Sequence, residues 1–386
     1  MGFQVAPDEH IKAGLVTDVY FERVKKALEK RGINPQVDME VRASELPNGW
    51  EWAVFAGLEE VIELISGLPV TLRSIPEGYV FRAGEPVLSV SGRYLDFGVY
   101  ETAILGLVCQ ASGIATNAAR CRIAAGDKLL ISFGARRMHP AIAPMIERNA
   151  FIGGCDGVAV IESAHMIGEE PMGTMSHSLI ICAEDERAAY EMFDEATDPS
   201  VLRIALVDTF QDEKFGAVFA ASVLGERLYG VRLDTPGSRR GDFLKILEEV
   251  RWELDIRGYS NVRILVSGGI DEYKIIELGK YADGFGVGTH ISNSPVVNFS
   301  MDIVEVEGKP LAKRGKKSGL KQLWVCSCGE RKETLAMVEN VLCSSCGNSM
   351  EPIIEEWFAD GKILRSLESP RQIRSRVLQQ ISGLEL

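Results

Sequence analysis

The stretch from about residue 125 to 290 limits the fold more than any other part of the chain. Six short apolar runs occur there, Leu129–Phe133, Gly157–Ile161, Ile204–Val207, Tyr229–Leu233, Ile264–Ser267 and Gly284–Val287. Helical stretches separate them, among them Asp212–Leu228, Asp242–Ile256 and Asp271–Tyr281, each opened by an Asp suited to cap a helix N-terminus. Strand and helix in alternation imply parallel strands joined by crossover helices. Most runs end in a polar or glycine cluster, such as Phe133-Gly-Ala-Arg-Arg137, Asp208-Thr209, Asp234-Thr-Pro-Gly-Ser238, Ser267-Gly-Gly269 and Gly286-Val-Gly-Thr289. A (β/α) barrel gathers the carboxyl ends of all its strands around one site, whereas a doubly wound sheet gathers only those beside its switch point. The pattern therefore favours the barrel.

The flanking regions read differently. Before about residue 115 the chain mixes helix and strand. Asp18–Lys30 has helical periodicity with Tyr20, Val24, Ala27 and Leu28 on one face, Ser74–Leu88 reads as a small antiparallel sheet, and Glu101–Ala119 as an apolar helix interrupted by Gly106 and Gly113. Beyond 290, Asp302–Pro310 has a strand and hairpin pattern. The expected division is 1–115 (completed by about 290–320), 116–290 and 321–386. A net charge of −13 argues against a broad nucleic-acid surface. No apolar run reaches the roughly 18 residues needed to span a bilayer, and the first dozen residues are too charged for a signal peptide. A cytoplasmic location without membrane contact is expected.

Eight cysteines fall into two groups. Cys109, Cys121, Cys155 and Cys182 read as small core residues. Cys326-Ser-Cys328-Gly329 and Cys343-Ser-Ser-Cys346-Gly347 present two thiolate pairs, each followed by glycine, which suits a closed, structural Zn²⁺ site. Phosphate handling is expected from Gly268 and Gly269, followed by a helix, and from Gly288 and Thr289, because glycines let backbone amides approach an anion. Arg136, Arg137, Arg232, Arg239 and Arg240 sit at or just past strand ends, where a guanidinium fork can meet carboxylate or phosphate. Asp208 and Asp234 could hold Mg²⁺ or hydrated pyrophosphate; an Arg–Asp network that merely fixes the barrel rim is the other reading. His177, in Gly173-Thr174-Met-Ser-His177, lies in an accessible polar loop.

The order of Thr17-Asp-Val-Tyr-Phe21, Tyr100–Leu105, Phe133–Pro140, Gly153-Gly-Cys-Asp156-Gly157, Gly173–His177, Val231–Thr235 and Val266–Gly269 resembles the nicotinate phosphoribosyltransferase family, in particular its archaeal-type members. The resemblance implies an α/β fold, an irregular (β/α) barrel of the type II phosphoribosyltransferase kind with an N-terminal α/β domain, beside the small C-terminal zinc module. It implies transfer of a phosphoribosyl group from 5-phosphoribosyl 1-pyrophosphate (PRPP) with Mg²⁺ to nicotinate, coupled to ATP through a phosphorylated His177. Phe133 would stack on the pyridine, and Tyr20 from a neighbouring subunit would cover its other face, giving at least a homodimer. Arg232 would meet the pyridine carboxylate or a phosphate, Asp208 and Asp234 the ribose and the pyrophosphate–Mg²⁺ cluster, and Gly268, Gly269, Gly288 and Thr289 the 5-phosphate. Thr174, Arg136 and Arg137, within matching motifs, and Ser238, in the cluster that follows Asp234, join the substrate-binding set.

Nicotinamide or quinolinate is the alternative acceptor. Asp156 could accept from an amide but does not decide, and quinolinate, with two carboxylates, would call for more cationic groups around the ring. A non-catalytic, zinc-containing nucleic-acid or partner-binding protein is the remote alternative, resting on the basic stretch Lys313–Lys317.

Overall fold

The computed structural model describes residues 2–386 and divides into two compact units, Met1–Thr116 with Pro295–Ile381, and Asn117–Ser294 with Ser382–Leu386.

The second unit holds six parallel strands: β1 (Leu129–Ser132), β2 (Gly157–Val158), β3 (Arg203–Leu206), β4 (Leu228–Leu233), β5 (Arg263–Ser267) and β6 (Gly284–Val287). Their order across the sheet is β2-β1-β6-β5-β4-β3. The first strand therefore pairs with the last, Ser132 opposite Val287, and the ring is left open only between β2 and β3. Helices Ile161–Ile167, His177–Ala183 and Glu186–Ala196 occupy the chain between those two strands. The strands are almost wholly buried, which is why they read as continuous apolar runs rather than alternating ones. Asp212, Asp242 and Asp271 each cap the helix that follows, accepting from the backbone N–H of Lys214, Lys245 and Lys274. Two of those helices end before the expected residue, at Leu224, where Gly225 takes a positive φ, and at Leu278.

The first unit is built on a seven-stranded antiparallel sheet. Its order is Lys309–Pro310, Phe299–Val306, Gln36–Ala43, Pro86–Arg93, Thr71–Ser74, Glu355–Ala359, Lys362–Ile363. Helix Leu58–Ile65 buries Leu58, Val61, Ile62 and Ile65, spaced as one helical face, in the same core as Phe55, Phe81, Leu88, Val90 and Phe358. Residues 355–359 and the helix Pro370–Ile381 thus belong with the N-terminal strands rather than with a separate tail. The helix Val19–Lys30 forms where the periodicity indicates, but only Phe21 is buried; Tyr20 is 52% exposed. One helix among the described residues, within Tyr94–Ala125, is long and apolar enough to cross a membrane, and half of its most apolar window is buried. Ile104, Val108, Ala111 and Ile114 place it in the protein interior. Cys121 and Cys155 are buried as expected of core cysteines and Cys109 half-buried, whereas Cys182 is exposed on the short helix that His177 begins.

Candidate active site

The site lies at the carboxyl ends of β1, β3, β4 and β5. Asp208, two residues beyond β3, is deeply buried. Its Oδ2 accepts from the Asp234 backbone N–H at 2.7 Å and from the Thr235 hydroxyl at 3.2 Å. Its Oδ1 is buried without a hydrogen-bond partner. Burial is the leading influence on this carboxyl and pushes its pKa up, opposed by those hydrogen bonds and by His177. Asp234, the residue after β4, accepts from Ser267 Oγ at 2.7 Å and stands 3.6 Å from Arg232. His177 Nε2 lies 3.9 Å from Asp208 and 3.8 Å from Asp234, and its Nδ1 is 3.0 Å from Thr209 Oγ1. One imidazole thus bridges two carboxylates from neighbouring strands.

Arg232 is the counterweight. Its side chain is largely buried, its Nε has no hydrogen-bond partner, and its guanidinium sits 5.8 Å from the centre of the Phe133 ring. Burial pushes its pKa down, while Asp234 and Asp208 oppose that shift. Phe133 owes its place to Gly286: a Cβ at that glycine would come within 2.3 Å of the ring. Arg240, which sequence reasoning left open between site and solvent, is drawn inward. It donates to the Thr235 and Ser267 carbonyls, both at 2.5 Å. Gly268 takes a positive φ of +80°, which favours glycine, and a Cβ there would press on Arg240 at 3.0 Å and Asp234 at 3.1 Å. Arg136 and Arg137 form a short exposed turn after Phe133, and Arg136 is close enough to Arg232 to act on its charge.

Other expected residues are placed differently. Asp156 stands at the entering end of β2, where Arg122 at 2.5 Å and the Leu130 N–H at 2.9 Å take its carboxylate. It is not brought to the strand ends where Phe133 and Arg232 meet. Ser238 lies in an exposed turn, Thr174 in the loop before His177 is half-buried, and Thr289 is exposed beside Gly288. Tyr20 belongs to the first unit. Thr209, Thr235 and Ser267 were not singled out as site residues, although each abuts a motif that was; their hydroxyls fix the two aspartates and the histidine.

The four clustered cysteines come together at the far end of the sequence. Their sulfurs all lie within 4.8 Å of one another, with Cys326–Cys346 and Cys328–Cys343 each at 3.4 Å. A tetrahedral Zn²⁺ at about 2.3 Å from each sulfur sets S···S separations near 3.8 Å, so the cluster fits that ion. Gly329 and Gly347 take positive φ, and their N–H groups turn back to the carbonyls of Cys326 and Cys343, closing two knuckles. Within the basic stretch, Lys313 and Lys316 pair with Asp302 at 2.5 and 2.9 Å, and Lys317 with Glu333 at 3.1 Å.

Comparison with known proteins corrects the expected family and activity. The family models of the quinolinate phosphoribosyl transferase N-terminal and C-terminal domains match residues 18–112 and 114–302. The structure of a nicotinate-nucleotide pyrophosphorylase from Pyrococcus furiosus is 52% identical, covers 100% of both chains and superposes with a TM-score of 0.98. A nicotinate phosphoribosyltransferase of Mycobacterium tuberculosis is 31% identical over 85% of this chain and 79% of its own. Human nicotinic acid phosphoribosyltransferase, at 21% identity, a TM-score of 0.75 and 96% and 94% coverage of the two chains, shares the fold. The matched domain models and the Pyrococcus structure overturn the reading of an ATP-coupled nicotinate enzyme, and with it nicotinate and ATP as its partners. What they support is the acceptor first held as the alternative. This chain belongs to the quinolinate phosphoribosyl transferase family.

Proposed function

We propose that this chain transfers the phosphoribosyl group of PRPP to quinolinate in NAD biosynthesis, releasing pyrophosphate and, because the nicotinate nucleotide keeps one carboxylate of two, CO₂. The observation that carries this reading is Arg232, a buried guanidinium with an unmet Nε donor held against the Phe133 ring. A buried cation beside an aromatic face suits an aromatic carboxylate. Arg136 and Arg240 add positive charge around it, as a second carboxylate requires. The pyridine nitrogen is unprotonated at neutral pH and attacks C1 of PRPP as the pyrophosphate oxygen leaves, so no general base is needed. The C2 carboxylate then leaves as CO₂, and the ring carbon takes a proton. The protein's contribution is to align the reactants and stabilise the cationic sugar and departing anion.

Asp208 and Asp234 are the groups to face the ribose and to hold Mg²⁺, and the orphaned Oδ1 of Asp208 fits a cation or a ribose hydroxyl. Bound Mg²⁺ would supply charge neutralisation of the pyrophosphate. The loops Gly268-Gly269 and Gly288-Thr289 are the cradle for the 5-phosphate. His177, held between both aspartates, orients them without an ATP-dependent role. Tyr20 is offered to the acceptor ring of a second copy, so the active form is at least a dimer. Zn²⁺ on the four cysteines is structural, and the enzyme acts in the cytoplasm.

Pyrophosphate release from PRPP and Mg²⁺, measured with quinolinate, nicotinate or nicotinamide and with or without ATP, tests this. Release with quinolinate, accompanied by CO₂ and indifferent to ATP, is expected. Turnover of nicotinate with none of quinolinate would overturn the reading.

A further inference from the structure

Behind the two glycine loops lies a buried charge cluster that the proposed chemistry does not use. Glu272 is the first residue of the short helix after Gly268-Gly269-Ile-Asp271, and it is buried. Its Oε1 accepts from Arg120 Nε at 3.0 Å, and Arg120 is itself buried. Its Oε2 stands 2.6 Å from Nε2 of His290, the residue that follows Thr289 in the other loop. Asn117, one helical turn before Arg120, donates its side-chain amide to the His290 carbonyl at 2.8 Å. On the opposite flank, a Cβ at Gly134 would come within 2.6 Å of the Gly288 carbonyl, so the 288–290 segment is packed against the end of β1 as well. The segment is thus gripped by backbone, imidazole and close packing together.

Glu272 is a costly group to place here unless it is paired. Burial alone would raise its pKa, yet His290, its own backbone N–H and Arg120 hold it down at about 2, so it stays ionised between the His290 imidazole and the Arg120 guanidinium. A carboxylate fixed from both sides ties the start of one loop to the end of the other. Cys121 also comes within 4.8 Å of Glu272 and His290. A metal there is disfavoured, because 2.6 Å between the carboxylate and imidazole atoms is too short for two ligands of one ion, and Arg120 already brings a positive charge.

We infer that Arg120, Glu272 and His290, with Asn117, are positioning residues that set the spacing of the two glycine loops for a sugar 5-phosphate. The inference rests on the reading of those loops as the phosphate cradle. It requires that breaking the cluster weaken the phosphorylated substrate selectively, since Arg232, Phe133, Asp208 and Asp234 do not touch it.

The test uses the full-length enzyme. Ribose 5-phosphate affinity is measured by titration calorimetry, and KM for PRPP, KM for the pyridine acid and kcat by pyrophosphate release. Glu272→Gln and His290→Ala are expected to weaken ribose 5-phosphate and raise KM for PRPP about tenfold, a change of about 1.4 kcal/mol. The acceptor KM and kcat should stay within about twofold, and His290→Gln, which can still reach Glu272, should recover most of the loss. Equal changes in both KM values, or no change in ribose 5-phosphate affinity while Thr289→Ala weakens it, would overturn the positioning role. If Thr289→Ala has no effect on ribose 5-phosphate either, the phosphate reading of the loops fails first and the inference falls with it.

Discussion

Asp208 shows how a single residue can be set against stability for the sake of a site. Its carboxyl is buried, one oxygen has no partner, and its pKa is raised. A folded-state pKa above the unfolded one means the folded protein binds that proton more tightly, so the group's contribution to stability falls as pH climbs from the unfolded value, about 3.9, through the folded one. Asp208→Asn should therefore melt higher than wild type at pH 7, by roughly 2–4 °C for each kcal/mol relieved, with the difference shrinking as pH falls through the folded pKa and gone below about 4. The same variant should lose about a hundredfold or more in kcat/KM. Thermal melts across pH beside pyrophosphate assays check both; a lower melting point at pH 7 would contradict the account. Glu272 runs the other way. Held at about 2 against an ordinary 4.5, it stabilises the fold above pH 4.5, and that contribution is lost as pH falls toward 2. Gly286→Ala is a third case: the added methyl must displace the Phe133 ring, so the acceptor KM should rise several-fold and stability fall by about 1–3 kcal/mol. An unchanged acceptor KM would show that the ring does not contact the acceptor.

At the scale of elements, helix Glu213–Leu224 lies so close to the end of β3 that a Cβ on Gly216 would come within 2.1 Å of the Val207 carbonyl. Gly216→Ala should push the helix off the strand and move Asp208, which follows Val207, so stability and catalysis should fall together; a helix-propensity gain without loss of activity would refute that packing. Much at this scale was legible in advance. Continuous apolar runs followed by polar clusters mark buried parallel strands, and Asp before a helical pattern marks a cap. Less visible was which end of a strand a polar residue occupies. Asp156 sits in a Gly-rich motif like those of the site, yet it precedes β2 instead of following it, and Arg122 claims it. Arg240 could not be told from Arg239 without the Thr235 and Ser267 carbonyls that hold it. Nor could the acceptor be read, because quinolinate and nicotinate differ by one carboxylate, and the number of guanidinium groups reaching the ring depends on side-chain paths no spacing encodes.

Across the whole molecule, the cysteine knuckles are tied down by contacts besides any metal they would bind. Arg42 reaches Glu333 at 3.1 Å and Arg331 reaches Glu85 at 2.5 Å, linking the strands around the knuckles to the antiparallel sheet of the same unit. Removing zinc with a chelator should expose residues 326–347 to proteolysis while leaving those strands in place and most of the catalytic rate intact. Loss of all activity without change in the circular dichroism spectrum would point to a role beyond structure. The sheet itself carries a consequence for how the protein is made. Gln36–Ala43 lies between Pro86–Arg93 and Phe299–Val306. When the ribosome has finished the first of these three strands and the second, the third is still some two hundred codons away, and the entire parallel-stranded unit must be synthesised in between. One edge of Gln36–Ala43, with Val37, Met39, Val41 and Ala43 on its apolar face, stays unpaired throughout that interval. At about 5–20 residues per second the wait is of the order of ten seconds or more, long enough for chaperones or a neighbouring nascent chain to compete for that edge.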